Sequence, residues 1–411
     1  MEELNTPFPV ADIAFVGPAS PLASSFEIHG LRLANRLASL PSIGGDAGPD
    51  GEPTAATLRR WAEHGGGGAS LLWSEAVAVQ EKGRARSGQL LPHPEGLAAL
   101  RDAAARSRSE SWGGENGWYI GLQLAHAGRW AIDSKGAPAP MPAMRHPHLD
   151  GRSHAGDDTK PLSDLELEGV GEDLIRAARI AWNAGFDFVD LHHGNGELLN
   201  ELLAARAREG RYGGALGART RLLRRVIAGI RAEAPGLVIA VRLSLFDALP
   251  YESDPECARR PGRPIPLAPS ELPYRHGFGL DPEEPETCDS SEPFEVVALL
   301  RSLGVRIIGS TGGSPHYCPH VNAPADGAGG APYPLPEEPL VGVARHLRAA
   351  QALKIRYPDM LCVGSGYSYL GAHLPYVAPA VIERQWTDMV GLGRLADRDP
   401  CAPRGLVGEP V

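Results

Sequence analysis

The chain has 411 residues, 43% of them hydrophobic and 22% charged, with a net charge of −10. That is an ordinary globular composition with ample core material, and its acidic balance argues against nucleic acid or an anionic membrane as the main partner. The five cysteines (Cys257, Cys288, Cys318, Cys362 and Cys401) form no Cys-x-x-Cys, so neither a disulfide framework nor a zinc or iron–sulfur site is indicated and no metal is expected. The N-terminus carries acid where a signal peptide wants base, and no run approaches the roughly 18–20 apolar residues of a membrane span. A cytoplasmic protein is the expectation, and the sequence leaves a homo-oligomer open.

Residues 1–20 read as an arm over the surface. Phe26 to Leu33 predicts a short hairpin turning near Gly30, and Asn35 to Pro41 a first barrel-type strand. A helix near 54–64 stops at His64-Gly65-Gly66-Gly67-Gly68. Ala69 to Ala76 is a second strand, 94–109 a helix, and Trp118 to Leu124 a third strand ending near Gln123, His126 and Arg129. An amphipathic helix over Leu165 to Ala184 leads into a fourth strand, Phe186 to Leu191, which breaks off in His192-His193-Gly194-Asn195-Gly196-Glu197. Helical spacing returns in Thr220 to Ala234, followed by strand five (Leu237 to Ser244). Helix Val296–Leu303, strand Gly304–Thr311, helix Leu340–Tyr357 and strand Leu361–Gly366 come next, then a helix near 372–385 and an eighth strand, Asp388 to Leu392, ending in Gly393-Arg394.

This alternation predicts an α/β fold of parallel strands, a (β/α)8 TIM barrel forming a single domain over 1–411, with a doubly wound open sheet as the alternative. Two stretches break the rhythm, 246–293 after strand five and 312–339 after strand six. Both are too long for ordinary connections, and both follow strands, so they are expected at the C-terminal face as lids or binding loops. Chemistry is expected at that same face, and the polar cluster closing strand four is its first candidate.

Ordered motifs sharpen this reading. They are Asn35-Arg36 with Pro41; Glu75; Gln123-Leu124-Ala125-His126-Ala127-Gly128-Arg129; Gly185-Phe186-Asp187 through His192 and Asn195-Gly196; Arg208 with Tyr212-Gly213-Gly214; Arg219 and Arg221; Val241-Arg242-Leu243-Ser244; and Asp388 to Arg394 with Asp399-Pro400. In this set and order, from about Ser20 to Pro400, the chain resembles the old yellow enzyme family of FMN-dependent oxidoreductases.

The resemblance implies FMN, reduced by NAD(P)H, and a small-molecule substrate with an activated C=C or C–C bond. Gln123 resembles the glutamine that hydrogen-bonds the flavin's pyrimidine edge, and Arg242 the arginine that places positive charge near its N1–C2=O region. Pro41, Ser42, Ile43 and Ala76 fall where the family lines the flavin. Ser365, Gly366, Tyr367, Gly393 and Arg394 fall where it holds the phosphate. His192 and Asn195 resemble the pair that binds the substrate oxygen, while His193, alternating to the other face, is read as structural. Two departures follow. Where much of the family has a tyrosine acid this chain has Glu197, either an acid/base group raised by burial or a surface residue capping the next helix. Ile43, with Ser42 beside it, stands where the family usually has Thr or Cys. They leave open an isomerase or lyase using Glu197 and His192 without net redox.

Overall fold

The computed structural model describes residues 20–325 and 331–408. The expected arm over 1–20 therefore lies, but for Ser20, outside the described residues. In chain order, hairpin β1 (Phe26–Ile28) and β2 (Leu31–Leu33) precedes β3 (Leu37–Ser39), α1 (Ala55–Gly66), β4 (Leu71–Ala78), α2 (Pro94–Trp112) and β5 (Tyr119–Ala125). Then come α3 (Asp164–Asn183), β6 (Phe188–His193), α4 (Leu198–Ala204), α5 (Leu216–Arg219), α6 (Arg221–Glu233) and β7 (Val238–Phe246). The short ribbon β8 (Tyr251–Glu252) and β9 (Arg263–Pro264) is followed by α7 (Ser291–Ser302), β10 (Ile307–Gly312), α8 (Pro319–Asn322) and α9 (Pro339–Arg356). The described chain finishes with β11 (Leu361–Gly364), α10 (Leu374–Glu383), β12 (Met389–Leu392), α11 (Arg394–Arg398) and α12 (Ala402–Leu406).

Eight strands, β3 to β7 and β10 to β12, close into one parallel barrel, and the open-sheet alternative falls. Local chemistry starts the helices between them. Thr54 and Thr57 make a capping box at α1, and Ser163 with Glu166 makes another at α3, so orphan N–H groups are satisfied before each helix begins.

The barrel is filled by side chains rather than hollow. Trp73 and Phe188 meet edge to face, with ring centroids 5.6 Å apart. The strands beside them leave the room: a Cβ on Gly121 would lie 2.2 Å from the Phe188 ring, and one on Gly309 would lie 2.7 Å from Trp73. Leu33, Ala240, Ile307, Leu361 and Met389 complete this layer, and Phe26, Ile28 and Leu31 of the hairpin close its N-terminal end. Each such large apolar side chain, fully buried, contributes about 1.5–3 kcal/mol against exposure.

Register corrects one boundary. Strand four runs two residues further than its apolar run, because His192 and His193 pair with Arg242 and Leu243 of β7. Alternation then sends Phe188, Asp190 and His192 into the barrel and Val189, Leu191 and His193 outward. His193 is buried in that outer layer, its Nδ1 3.0 Å from the Leu191 carbonyl, as its structural reading expects.

The segment 246–293 carries its own small core of Leu249, Ile265, Tyr274 and Leu280. It is tied to the loop after β10: Tyr251 N–H donates to the Tyr317 carbonyl at 2.8 Å, Gly262 N–H to Pro334 at 2.9 Å, and the Tyr317 hydroxyl to Asp247 at 2.7 Å. No helix among the described residues is long and apolar enough to cross a membrane.

Candidate active site

A cleft of about 520 Å³ opens at the C-terminal ends of the barrel strands. Pro41, Ser42, Ile43, Ala76, Gln123, Asn195, Glu197, Arg242, Ser365, Gly366, Gly393 and Arg394, scattered over 354 positions of sequence, all line it. A parallel barrel produces this gathering because every strand delivers its C-terminal end to one face.

The floor is a hydrogen-bonded unit built on Asp190. This carboxylate accepts from Trp73 Nε1 at 3.1 Å, Gln123 Nε2 at 2.5 Å and the Arg242 backbone N–H at 2.5 Å. Burial nevertheless raises its pKa to about 6. The bond fixes the Gln123 amide: one N–H goes to Asp190, which leaves the carbonyl and the second N–H for a ligand. Arg242 gives one long bond, 3.4 Å, to the Pro41 carbonyl, and its buried Nε has no partner.

The β3 wall is shaped by Glu75. It accepts from Gly44 N–H and Arg60 Nη2, both at 2.8 Å, and from Trp61 Nε1 at 3.1 Å, which holds Ser42 and Ile43 against the cleft. Glycine at 44 makes room for this contact, since a Cβ there would lie 2.0 Å from the Arg60 guanidinium and displace it. The Ser42 hydroxyl donates to Asp397 at 2.8 Å, and Ala76 N–H donates to the Ser42 carbonyl at 3.0 Å.

At the β11–β12 end, Gly366 takes a positive φ of 91° and Ser365 Oγ lies 3.3 Å from His346 Nδ1. Ser368 Oγ accepts from Gly393 N–H at 3.1 Å and Leu395 N–H at 3.2 Å. The Tyr367 side chain does not line the cleft. Alternation and the turn after Gly366 bury its ring under β11, 1% exposed, where its hydroxyl meets the Gly364 backbone; Ser368 and Tyr369 take its place in the cleft.

Opposite lies the turn after β6. Asn195 holds a positive φ of 63°, and its Oδ1 accepts from Asn322 Nδ2 at 3.1 Å while its backbone carbonyl accepts from the Ser314 hydroxyl at 2.7 Å. Trp130 Nε1 donates to the Gly196 carbonyl at 3.0 Å and stacks on His316, centroids 4.3 Å apart and planes 11° apart. Glu197 occupies the N-cap position of α4 but makes no side-chain cap bond; it is 8% exposed and faces the cleft. The reading of Glu197 as an exposed capping residue is therefore corrected. Burial raises its carboxyl to about 7 against a smaller pull from Arg242.

His192, expected to pair with Asn195, is not among the residues lining the cleft. It lies two residues beyond Asp190 on the same face of β6, in register with Arg242 and buried, with Nε2 3.9 Å from Glu197. Desolvation, then Arg242, holds it well below the ordinary histidine range and so neutral. Both its ring nitrogens, the Arg242 Nε and the Ser244 hydroxyl are buried without partners among the described residues. Four unpartnered polar atoms at one barrel end mark a site awaiting polar ligand atoms, because such groups are otherwise paired.

The residues missed by sequence reasoning are Leu40, Ala85, Arg86, Thr311, Pro315, His316, Asn322, Ser368, Tyr369 and Asp397. Only the long loop after strand six signalled some of them. Conversely, Arg129, Arg208 and Arg219, prominent in the motifs, are spent on carboxylates outside the cleft: Glu201 and Asp150, Asp164, and Glu292 respectively. No cluster of metal-ligating side chains occurs among the described residues.

Comparison with known proteins places the chain in a family. An NADPH dehydrogenase of Listeria welshimeri is 32% identical over 235 residues, covering 56% of this chain and 64% of its own length, just under two thirds. In fold, the chain is similar to Old Yellow Enzyme from a Pichia species (TM-score 0.61, 19% identity, 95% of this chain and 87% of that one). It is likewise similar to the old yellow enzyme homologue of Zymomonas mobilis (TM-score 0.59, 20% identity, 95% and 97%). Residues 22–255, well over half of the chain, match one family as a continuous block. The chain belongs to the NADH:flavin oxidoreductase / NADH oxidase family.

Proposed function

We propose that this protein is an FMN-dependent, NAD(P)H-reduced oxidoreductase of the old yellow enzyme type, acting on an activated C=C bond of a small organic molecule. The observation that carries it is the floor of the cleft. A glutamine with its carbonyl left free and an arginine with a free Nε stand side by side over one carboxylate, matching the acceptor and donor needs of a flavin's pyrimidine edge. Gln123 and Arg242 would hold that edge, while Ser365, Gly366, Gly393 and Arg394 would hold the phosphate. Held there, FMN would supply the hydride-transfer chemistry between the nicotinamide and the substrate.

This chain's own residues do the rest. Asn195, its Oδ1 engaged by Asn322, keeps its NH2 free to donate to the substrate oxygen. Glu197, raised to about 7, carries a proton near neutral pH and gives it to the substrate carbon. His192 stands behind Glu197 as a positioning group. The Trp130–His316 stack walls the cleft against water, and segments 246–293 and 312–339 act together as its lid, the first bracing the second.

The test is the visible spectrum of the purified protein before and after anaerobic NADPH. A flavin spectrum that bleaches, and is lost from folded Arg242→Ala or Gln123→Ala protein, supports the reading. A colourless protein that cannot be reconstituted with FMN overturns it.

A further inference from the structure

We propose that Arg86 makes this cleft select an anionic substrate, one carrying a carboxylate beyond its reducible bond; the inference rests on the flavin-dependent reading above. Arg86 lies on the turn after β4, and that turn is rigid. The buried Gln89 side chain accepts from Ala85 N–H at 2.7 Å and donates to the Ala76 carbonyl at 3.0 Å, pinning the turn to the barrel. The neighbouring Arg84 does not line the cleft: it is buried, its Nη1 donating to the carbonyls of Pro49 at 2.8 Å and Ser87 at 3.1 Å while its Nε and Nη2 have no partner among the described residues. Arg86 is placed differently. Its side chain lines the cleft, its stem runs beside Gly45, and its guanidinium makes no hydrogen bond or ion pair among the described residues.

The other cations of the cleft have work assigned. Arg242 faces the pyrimidine edge and Arg394 the phosphate end, where it bonds Tyr369. The carboxylates lining the cleft do not answer Arg86 either. Asp397 is engaged by Ser42, and burial holds Glu197 toward its neutral form. Arg86 is therefore a surplus positive charge inside a chain of net charge −10, and low-dielectric walls concentrate its field.

Its position fixes what it would touch. Burial, and then the nearby Arg86 charge, lowers His316 to about 4, so the ring is neutral and adds no second positive charge for the anion. His316 stacks on Trp130, whose indole bonds the Gly196 carbonyl beside Glu197. Arg86, the His316 ring and Glu197 thus line the same cleft. A planar molecule resting on His316 there would place its oxyanion at Arg86 and its reacting carbon at Glu197. Arginine suits this task because its planar fork binds a carboxylate with two parallel hydrogen bonds.

The test uses 4-oxocyclohex-2-ene-1-carboxylate and its methyl ester, two enones differing in one charge, with FMN-loaded protein. The wild type should favour the carboxylate at least tenfold in kcat/KM. Arg86→Gln should abolish that preference through KM rather than kcat, as loss of uniform binding requires, and Arg86→Lys should keep part of it. Equal use of both enones by a wild type whose flavin bleaches with NADPH overturns this inference alone; failure to hold or bleach flavin overturns the underlying reading. If Arg86→Gln instead weakens NADPH binding and leaves the enone preference intact, the oxyanion belongs to the nicotinamide cofactor and the substrate assignment falls.

Discussion

Glu197→Gln separates the catalytic and structural consequences of burying a carboxyl at this site. Burial raises Glu197 from 4.5 to about 7, a shift worth about 3 kcal/mol at most. In the unfolded chain the proton leaves near pH 4.5, whereas in the folded chain it stays until about 7. The folded state therefore binds more protons across this window, and stability falls as pH rises through it. Above pH 7 the whole cost is present; below 4.5 it vanishes. Glutamine keeps the shape and removes the titration, so the variant should match wild type at pH 4 and exceed it by up to about 3 kcal/mol at pH 8 in urea unfolding. Activity should move the other way. As a proton donor, Glu197 predicts a wild-type kcat that drops about tenfold per pH unit above 7, and a variant about 10²–10⁴ slower whose residual rate has lost that limb. A variant less stable at pH 8, or one that turns over at the wild-type rate with the same profile, would refute the placement of this carboxyl.

Three other perturbations probe the frame. Asp190→Asn sets an amide N–H against the donors of Trp73, Gln123 and Arg242; titration with FMN should show about tenfold weaker binding, equivalent to about 1.4 kcal/mol. Replacing 246–293 by a short linker removes the residues that anchor Tyr317 and Pro334, so FMN should stay bound while KM rises or NADPH oxidation leaks to oxygen; unchanged kinetics would make the segment decoration. Gly121→Ala drives a methyl into the Phe188 ring, 2.2 Å away, and should cost at least the ~1–3 kcal/mol typical of overpacking, read as a lowered Tm.

The site works because a few groups each serve two neighbours. Asp190 orients Gln123, anchors the Arg242 backbone and closes the apolar layer by taking the Trp73 indole N–H. Arg242 in turn acts on both sides of the cleft, pulling Glu197 down and helping to keep His192 neutral. The barrel thus separates two protonation states a few ångströms apart: a carboxyl poised near neutrality and a histidine without charge. Environments that push neighbouring groups apart in this way are the usual means of assigning acid and base roles.

Much of this was legible from the sequence because it depends on local pattern. Apolar runs such as Phe186 to Leu191, broken by Gly and polar residues at regular intervals, specify eight βα units. Parallel strands then send Gln123, Arg242, Ser365 and Gly393 to one face whatever their separation along the chain. Alternation even assigned His193 its outward place. What alternation lacks is depth. It places His192 inside the barrel, but does not show that its ring is buried there with both nitrogens unpartnered among the described residues. It likewise cannot tell that Tyr367 turns under β11 and leaves Tyr369 in its stead. Glu197 looked like a helix cap because its position is one, and only packing around it turned the carboxyl inward. Arg86, His316 and Asn322 carry no motif at all. They reach the cleft on turns whose shape is set by distant contacts, and the free energy of a loop conformation resides in those contacts rather than in its own residues.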